Sequence, residues 1–89
     1  MYEAFGTNQF KRDFKKAILR NKDINKLKKV IRILIQGKPF SIKYKDHPLR
    51  GDYRDCGGCH IEPDWIMIYR IKDEKLHVVR VGSHSDLFQ

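Results

Sequence analysis

The apolar positions change period once along the chain, near residue 40. Before that point they recur at helical spacing. Phe10, Phe14, Ala17 and Ile18 fall at i, i+4, i+7 and i+8, one stripe of a helix that Asn8 can N-cap. Lys11, Arg12, Lys15 and Lys16 lie mostly off that stripe. A second stripe, Leu27, Val30, Ile31 and Leu34, follows Asp23, a suitable N-cap, with Lys26, Lys28, Lys29 and Arg32 elsewhere on the helix. Gly37 suits the position just past its end, and Pro39 blocks continuation. The short link around Asn21 makes the two an antiparallel helical hairpin. Ahead of them, residues 2–6 read as a short edge strand.

Beyond residue 40 the segments shorten, punctuated by Pro48, Gly51, Gly57, Gly58 and Pro63. Residues 65–71 are apolar on both parities except Arg70, the pattern of a central strand buried on two sides. Residues 72–75 form a turn, and 76–81 a second, valine-rich strand that Gly82 ends, leaving a short tail. Residues 53–61 read as a further strand, in which Gly57-Gly58 suggests a bulge. The order β-α-α-β-β-β predicts an α+β fold, a small antiparallel β-sheet packed against an N-terminal helical hairpin. At 89 residues the chain has room for one domain, 1–89. Such a domain buries only about 60% of its unfolded surface. There is no internal repeat or linker.

Charge adds direction. Residues 1–45 hold 13 basic and 3 acidic side chains, a net of +10; residues 46–89 hold 6 and 8, a net of −2. The first half is built to sit on something anionic, either nucleic acid or an acidic protein, or else is a solvated lysine-rich surface. All four histidines, His47, His60, His77 and His84, lie in the second half. The apolar runs are too short to span a bilayer, so no membrane association is expected. The start, MYEAFGTNQF, has no basic stretch followed by an apolar region, and a cytoplasmic location is expected.

Two constellations could carry chemistry. Cys56-Gly57-Gly58-Cys59-His60 matches the C-x-x-C-H pattern of haem attachment. Haem would require export, and a structural zinc site would need a second ligand pair that the sequence lacks. A thioredoxin-like pair belongs at a helix N-terminus, whereas these surroundings read as strand. Two reduced thiols in a strand is the favoured reading, with no metal and no cofactor. The second constellation is dispersed: His47 before Pro48, His60 four residues before Asp64, Arg80 at the end of the last strand, His84 after Gly82, and Phe88 near the C-terminus. Metal-free RNA cleavage needs a base for the ribose 2′-OH, an acid for the leaving 5′-oxygen and a cation for the phosphorane. Histidine suits both proton transfers and arginine suits the phosphorane. Trp65 or Phe88 could stack on a base, although Trp65 suits the core equally well. His77, inside a strand, is a bystander.

His47-Pro48-Leu49-Arg50-Gly51, then Cys59-His60-Ile61-Glu62-Pro63-Asp64-Trp65, then Ile68-Tyr69, and finally Arg80-Val81-Gly82-Ser83-His84-Ser85-Asp86-Leu87-Phe88 resemble the YafQ-type toxins of the RelE/ParE superfamily, from bacterial type II toxin–antitoxin modules. The resemblance covers nearly the whole chain and is most specific over residues 46–88. It implies a ribosome-dependent endoribonuclease that cuts mRNA in the A site without metal. The 2′-OH would attack the adjacent phosphate, leaving a 2′,3′-cyclic phosphate and a 5′-OH. The family's functional positions fall on His47, His60, Asp64, Arg80, His84 and Phe88. The lysine-rich helices, through Lys11, Lys15, Lys28 and Arg32, would bind ribosomal RNA. An acidic antitoxin of the DinJ/RelB type would lie on the basic surface, cover the histidines, or do both, and DNA would be met only through that antitoxin. One departure stands out. The family usually carries an arginine and an acidic residue where this chain has Gly57 and Gly58, while Arg54-Asp55 appears three residues earlier. Either the strand bulges so that Arg54 substitutes, or one substrate contact is missing. The competing function is a non-catalytic basic RNA-binding protein or a gyrase-poisoning toxin of the ParE branch, which is not expected to keep this histidine set.

Overall fold

In a computed structural model, which describes residues 1–88, the helices come first and the sheet follows, as the period change requires. Strand β1 (Glu3–Gly6) leads into α1 (Asn8–Leu19) and α2 (Ile24–Ile35). The remaining elements are β2 (His47–Pro48), β3 (Gly57–Glu62), β4 (Trp65–Lys72), β5 (Lys75–Gly82) and α3 (His84–Phe88). Short 3-10 turns cover Ile42–Tyr44 and Gly51–Tyr53. The α+β class and the helical hairpin agree with the sequence pattern. The sheet has the order β1-β5-β4-β3-β2. It is mixed rather than wholly antiparallel, because β1 joins β5 in parallel. The two-helix crossover between β1 and the rest of the sheet allows that direction, which no short hairpin could.

The helix ends are set by local chemistry. The N-cap of α1 is Thr7, not Asn8: its Oγ1 accepts from the Phe10 amide at 3.0 Å and donates to the Val79 carbonyl at 2.7 Å. One hydroxyl thus starts the helix and pins it to β5. Asp23 caps α2 as expected. Both helices end in Schellman motifs, with Asn21 (φ 58°) and Gly37 (φ 67°) in the left-handed position. After α1 the Asn21 and Lys22 amides donate to Ile18 and Ala17, and after α2 the Gly37 and Lys38 amides donate to Leu34 and Ile33.

The core has two sides. Leu27, Val30, Leu34 and Ala17 of the helices meet Cys59, Trp65, Met67, Leu76, Val78 and Val81 of the sheet. On the opposite, outer face, Ile66, Ile68 and Leu87 form a second cluster against Leu49, Tyr53, Cys56 and Val79. Strand β4 feeds both clusters with alternate residues, which is why it is apolar on both parities. The expected strand over 53–61 begins only at Gly57. The bulge expected at Gly57-Gly58 is not there: β3 bulges instead at Ile61, between the His60 and Glu62 pairings, and β5 bulges at Val79. Gly57 and Gly58 are regularly paired and are small for another reason. A Cβ on Gly57 would come within 2.8 Å of the Tyr69 ring, and one on Gly58 within 3.0 Å of the Leu49 side chain.

Candidate functional site

Register places the expected residues. Directly opposed residues of antiparallel strands share a face. His47 opposes Gly58, Gly58 opposes Ile68, His60 opposes Ile66, and Arg80 opposes Ile68. Ile66 and Ile68 belong to the outer cluster. His47, His60 and Arg80 therefore stand on the outer face. Helix α3 packs on that same face through Leu87 and brings His84 and Phe88 with it. The sequence pattern of the tail does not predict this short helix. It forms because Ser83 and Asp86 cap each other: the Asp86 amide donates to Ser83 Oγ (3.1 Å) and the Ser83 amide to Asp86 Oδ2 (3.0 Å). Lys16 of α1 and Arg20, the residue that caps its C-terminus, also hold Asp86, at 3.6 and 2.9 Å. The Ser83 amide first, then Arg20, keeps the Asp86 carboxyl far below the usual carboxylate range.

The His47 and His60 rings lie 6.3 Å apart. In each, Nδ1 faces a carbonyl oxygen, that of Lys45 at 2.7 Å and that of Pro63 at 3.2 Å. A carbonyl only accepts, so Nδ1 carries the proton in both rings and the neutral form has a bare Nε2. His84 makes no ring hydrogen bond among the described residues; it packs 5.0 Å from Phe88, one helical turn away. Phe88 is 40% exposed and meets Tyr53 edge-on. A cleft of 330 Å³ opens beside His60 between Lys26, Lys29, Lys43 and Lys45.

Arg80 is held by Asp13 of α1. Its Nε donates to Asp13 Oδ2 at 3.1 Å and its Nη2 to Oδ1 at 3.0 Å, while Nη1 reaches the Asp86 carbonyl at 3.4 Å. The Asp13 hydrogen bonds, and secondarily Tyr53, hold the guanidinium even more firmly charged than usual.

Asp64, exposed in the β3–β4 turn, reaches His84 through the backbone: its Oδ1 accepts from the His84 amide at 2.9 Å. Trp65 is a correction. It is 2% exposed within the helix-side core, and a buried ring offers no face to a base. Arg54 is exposed just past the Gly51–Tyr53 turn, outside the regular β3 ladder, so the bulge that would let it replace a residue at Gly57 is absent. Lys11, Lys15, Lys28 and Arg32 are exposed and form no ion pair among the described residues, whereas Lys16, Arg20, Lys22 and Lys26 are paired. Cys59 and His60 point to opposite sides of β3, and Cys56 belongs to the outer cluster. Burial pushes the Cys59 thiol up to about 12. The C-x-x-C-H run is thus not a gathered ligand set.

Sequence reasoning missed Asp13 and Tyr53. Asp13 had a signal: it is an acid on the apolar stripe of a basic helix, three residues after Phe10 and four before Ala17. Tyr53 sits in a turn and had none.

Comparison with known proteins agrees with this fold. The family model described as a bacterial toxin of type II toxin–antitoxin systems, YafQ, matches residues 2–89. The mRNA interferase toxin YafQ of Escherichia coli K12 is 43% identical over 83 residues, 92% of this chain and 90% of that protein. The crystal structure of the E. coli DinJ–YafQ complex superposes with a TM-score of 0.93 at 40% identity, covering 100% of both chains. A metal-bound toxin from Helicobacter pylori superposes at 0.92 with 39% identity, covering 99% of this chain and 100% of that one. In this chain the described residues gather no group of three or more His, Cys, Asp or Glu side chains fit to hold a metal. The matched span, the identity and the shared fold have one meaning: the chain belongs to the YafQ family of bacterial type II toxin–antitoxin toxins.

Proposed function

We propose that the protein is an mRNA interferase, a ribosome-dependent endoribonuclease that cuts message in the A site and so stops translation. The observation that carries this reading is the convergence of His47, His60, Arg80, His84 and Phe88 on one sheet face. The 2′-OH loses its proton to a base, attacks the adjacent phosphorus, and the 5′-oxygen leaves with a proton from an acid. The products are a 2′,3′-cyclic phosphate and a 5′-OH. His60, whose Nδ1–H is given to Pro63, offers a bare Nε2 and is the base, with His47 beside it. His84 is the acid. Arg80 balances the phosphorane charge, and the half-exposed Phe88 ring stacks on a base. No step runs through a metal. Lys11, Lys15, Lys28 and Arg32 grip ribosomal RNA, and Arg54 is left as a peripheral contact. Such contacts make binding fall steeply with salt.

The E. coli relative is named in complex with DinJ; here too an acidic antitoxin of that type is the partner, and DNA is reached only through it. No helix of the described residues is long and apolar enough to cross a membrane, and a ribosomal target implies the cytoplasm. The test is cleavage of message on programmed ribosomes, with and without chelator, reading the cut ends. His60→Ala and His84→Ala should each lose about 100-fold or more in rate while still binding ribosomes. A message with sulfur in place of the leaving 5′-oxygen needs no acid. It should restore cleavage by His84→Ala and not by His60→Ala. Full activity in both variants sinks the site, and arrest of growth that survives both favours a non-catalytic toxin.

A further inference from the structure

Asp13 is the one buried charged side chain among the described residues, 7% exposed, and it carries four hydrogen bonds. Gln9 Nε2 donates to Oδ1 at 3.0 Å, Arg80 donates through Nε and Nη2, and the Val81 amide donates to Oδ2 at 3.2 Å. The position is unusual for an acid. It lies on the buried stripe of a helix that otherwise carries Lys11, Arg12, Lys15 and Lys16. Beyond Val78, β1 no longer pairs with β5, and the carboxylate takes the place of a neighbouring strand by accepting the Val81 amide.

We propose that Asp13 is a positioning residue of the cleavage site, holding Arg80 so that only the outer edge of its guanidinium faces the scissile phosphate. The proposal rests on the nuclease reading above. Arginine has five N–H donors in a fixed plane. Asp13 takes the side edge, Nε and Nη2, and the Asp86 carbonyl takes one donor of Nη1. Beyond these bonds one donor remains on each Nη, with the Tyr53 hydroxyl as their weaker neighbour. Asp13 fixes the plane and reach of those two donors before substrate arrives, so no ordering is required during the reaction. The phosphorane is therefore met by a fork already locked, and the side edge that would otherwise pair with any phosphate is closed to it. Asp13 itself touches no substrate.

The test is a double-mutant cycle in single-turnover cleavage on programmed ribosomes. Asp13→Asn keeps the shape and loses the charge and one acceptor. It should lower the maximal rate about ten-fold with little change in half-saturating ribosome concentration, and the loss should vanish when Arg80 is already alanine. Gln9→Ala, which removes only one bond from Asp13, is the milder variant and keeps the test open if Asp13→Asn folds poorly. It should slow cleavage two- to three-fold with Arg80 present and have no effect without it. Unchanged rates in Asp13→Asn, or losses that persist in full in the Arg80→Ala background, overturn the proposal. A wild-type protein that leaves message intact overturns the nuclease reading instead, so the two failures are separable.

Discussion

Asp64 offers the sharpest way to separate two roles that a carboxylate can play at this site. As a base or as a partner of an imidazole it would be chemical. The structure gives it a mechanical role, because its Oδ1 holds the His84 amide at 2.9 Å, the first N–H of α3. A helix of five residues cannot sustain itself, and α3 stays in place only through such ties. They are the Ser83–Asp86 box, the burial of Leu87 at 5% exposure, and Asp64. Losing a helix-capping acceptor costs about 1 kcal/mol, and Asp64 is exposed, so the effect stays near that value. One kcal/mol is about a five-fold change in the ratio of docked to undocked α3, so five-fold is the ceiling on the loss of docked molecules.

The expected outcome follows from what each substitution retains. Asp64→Asn keeps a carbonyl oxygen that can accept from His84 and should cleave within about two-fold of wild type. Asp64→Ala loses the acceptor and should cleave more slowly by no more than about five-fold, with a small fall in melting temperature. A proton-transfer group behaves differently, since its removal costs roughly 10²–10⁴-fold whatever replaces it. The assay is single-turnover cleavage of message on programmed ribosomes, paired with thermal denaturation of each variant. If Asp64→Asn and Asp64→Ala both lose 100-fold or more at unchanged melting temperature, the anchoring argument is wrong and Asp64 is part of the chemistry.

Three further outcomes are expected. Trp65→Phe should leave cleavage within two-fold while lowering stability to urea by about 1 kcal/mol; a large loss of cleavage at unchanged stability would return Trp65 to the substrate. The β4–β5 turn puts Asp73 (φ 53°) and Glu74 (φ 62°) in the left-handed region without a glycine. Asp73→Asn with Glu74→Gly should therefore stabilise by about 1 kcal/mol, raising the melting temperature by roughly 4–8 °C with no change in cleavage. Asp86, held low first by the Ser83 amide and then by Arg20, stabilises the fold while ionised. Its contribution is complete above its unfolded value of about 4 and is lost as pH falls from there. Asp86→Asn should thus lower the melting temperature at pH 7 and flatten its decline below pH 4; an unchanged acid limb would refute the assignment.

Much of the fold is written locally. The two helices are legible because stripe, cap and stop all lie within a few residues of one another. The central strand is legible because both of its faces are apolar. What covers the outer face is not legible, because Leu49, Tyr53 and Cys56 arrive there from irregular chain with no period of its own. Helix α3 is hidden for a related reason. Its ties run to Asp64, Lys16 and Arg20, distant in sequence, so its own composition predicts little. Trp65 is ambiguous because a buried and a stacking tryptophan look alike in a sequence; only its place on the helix-side parity of β4 decides.

The site itself depends on one irregularity that the sequence does record. In β5 the buried apolar side chains are Leu76, Val78 and Val81, an interval of two and then of three. A regular strand with Leu76 and Val78 facing the helices would send residue 80 the same way. Arg80 would then point into the apolar layer under the helices, where an unpaired charge is costly. The extra residue at Val79 reverses the parity: Tyr69 opposes Val78, yet Ile68 opposes Arg80. Arg80 thereby joins His47 and His60 on the outer face, and Val81 returns to the core. The doublet Val78-Val79 before an arginine is the visible trace of that bulge. A strand that breaks its own alternation immediately before a charged residue is re-aiming that residue, and here it turns Arg80 to the face on which His47 and His60 stand.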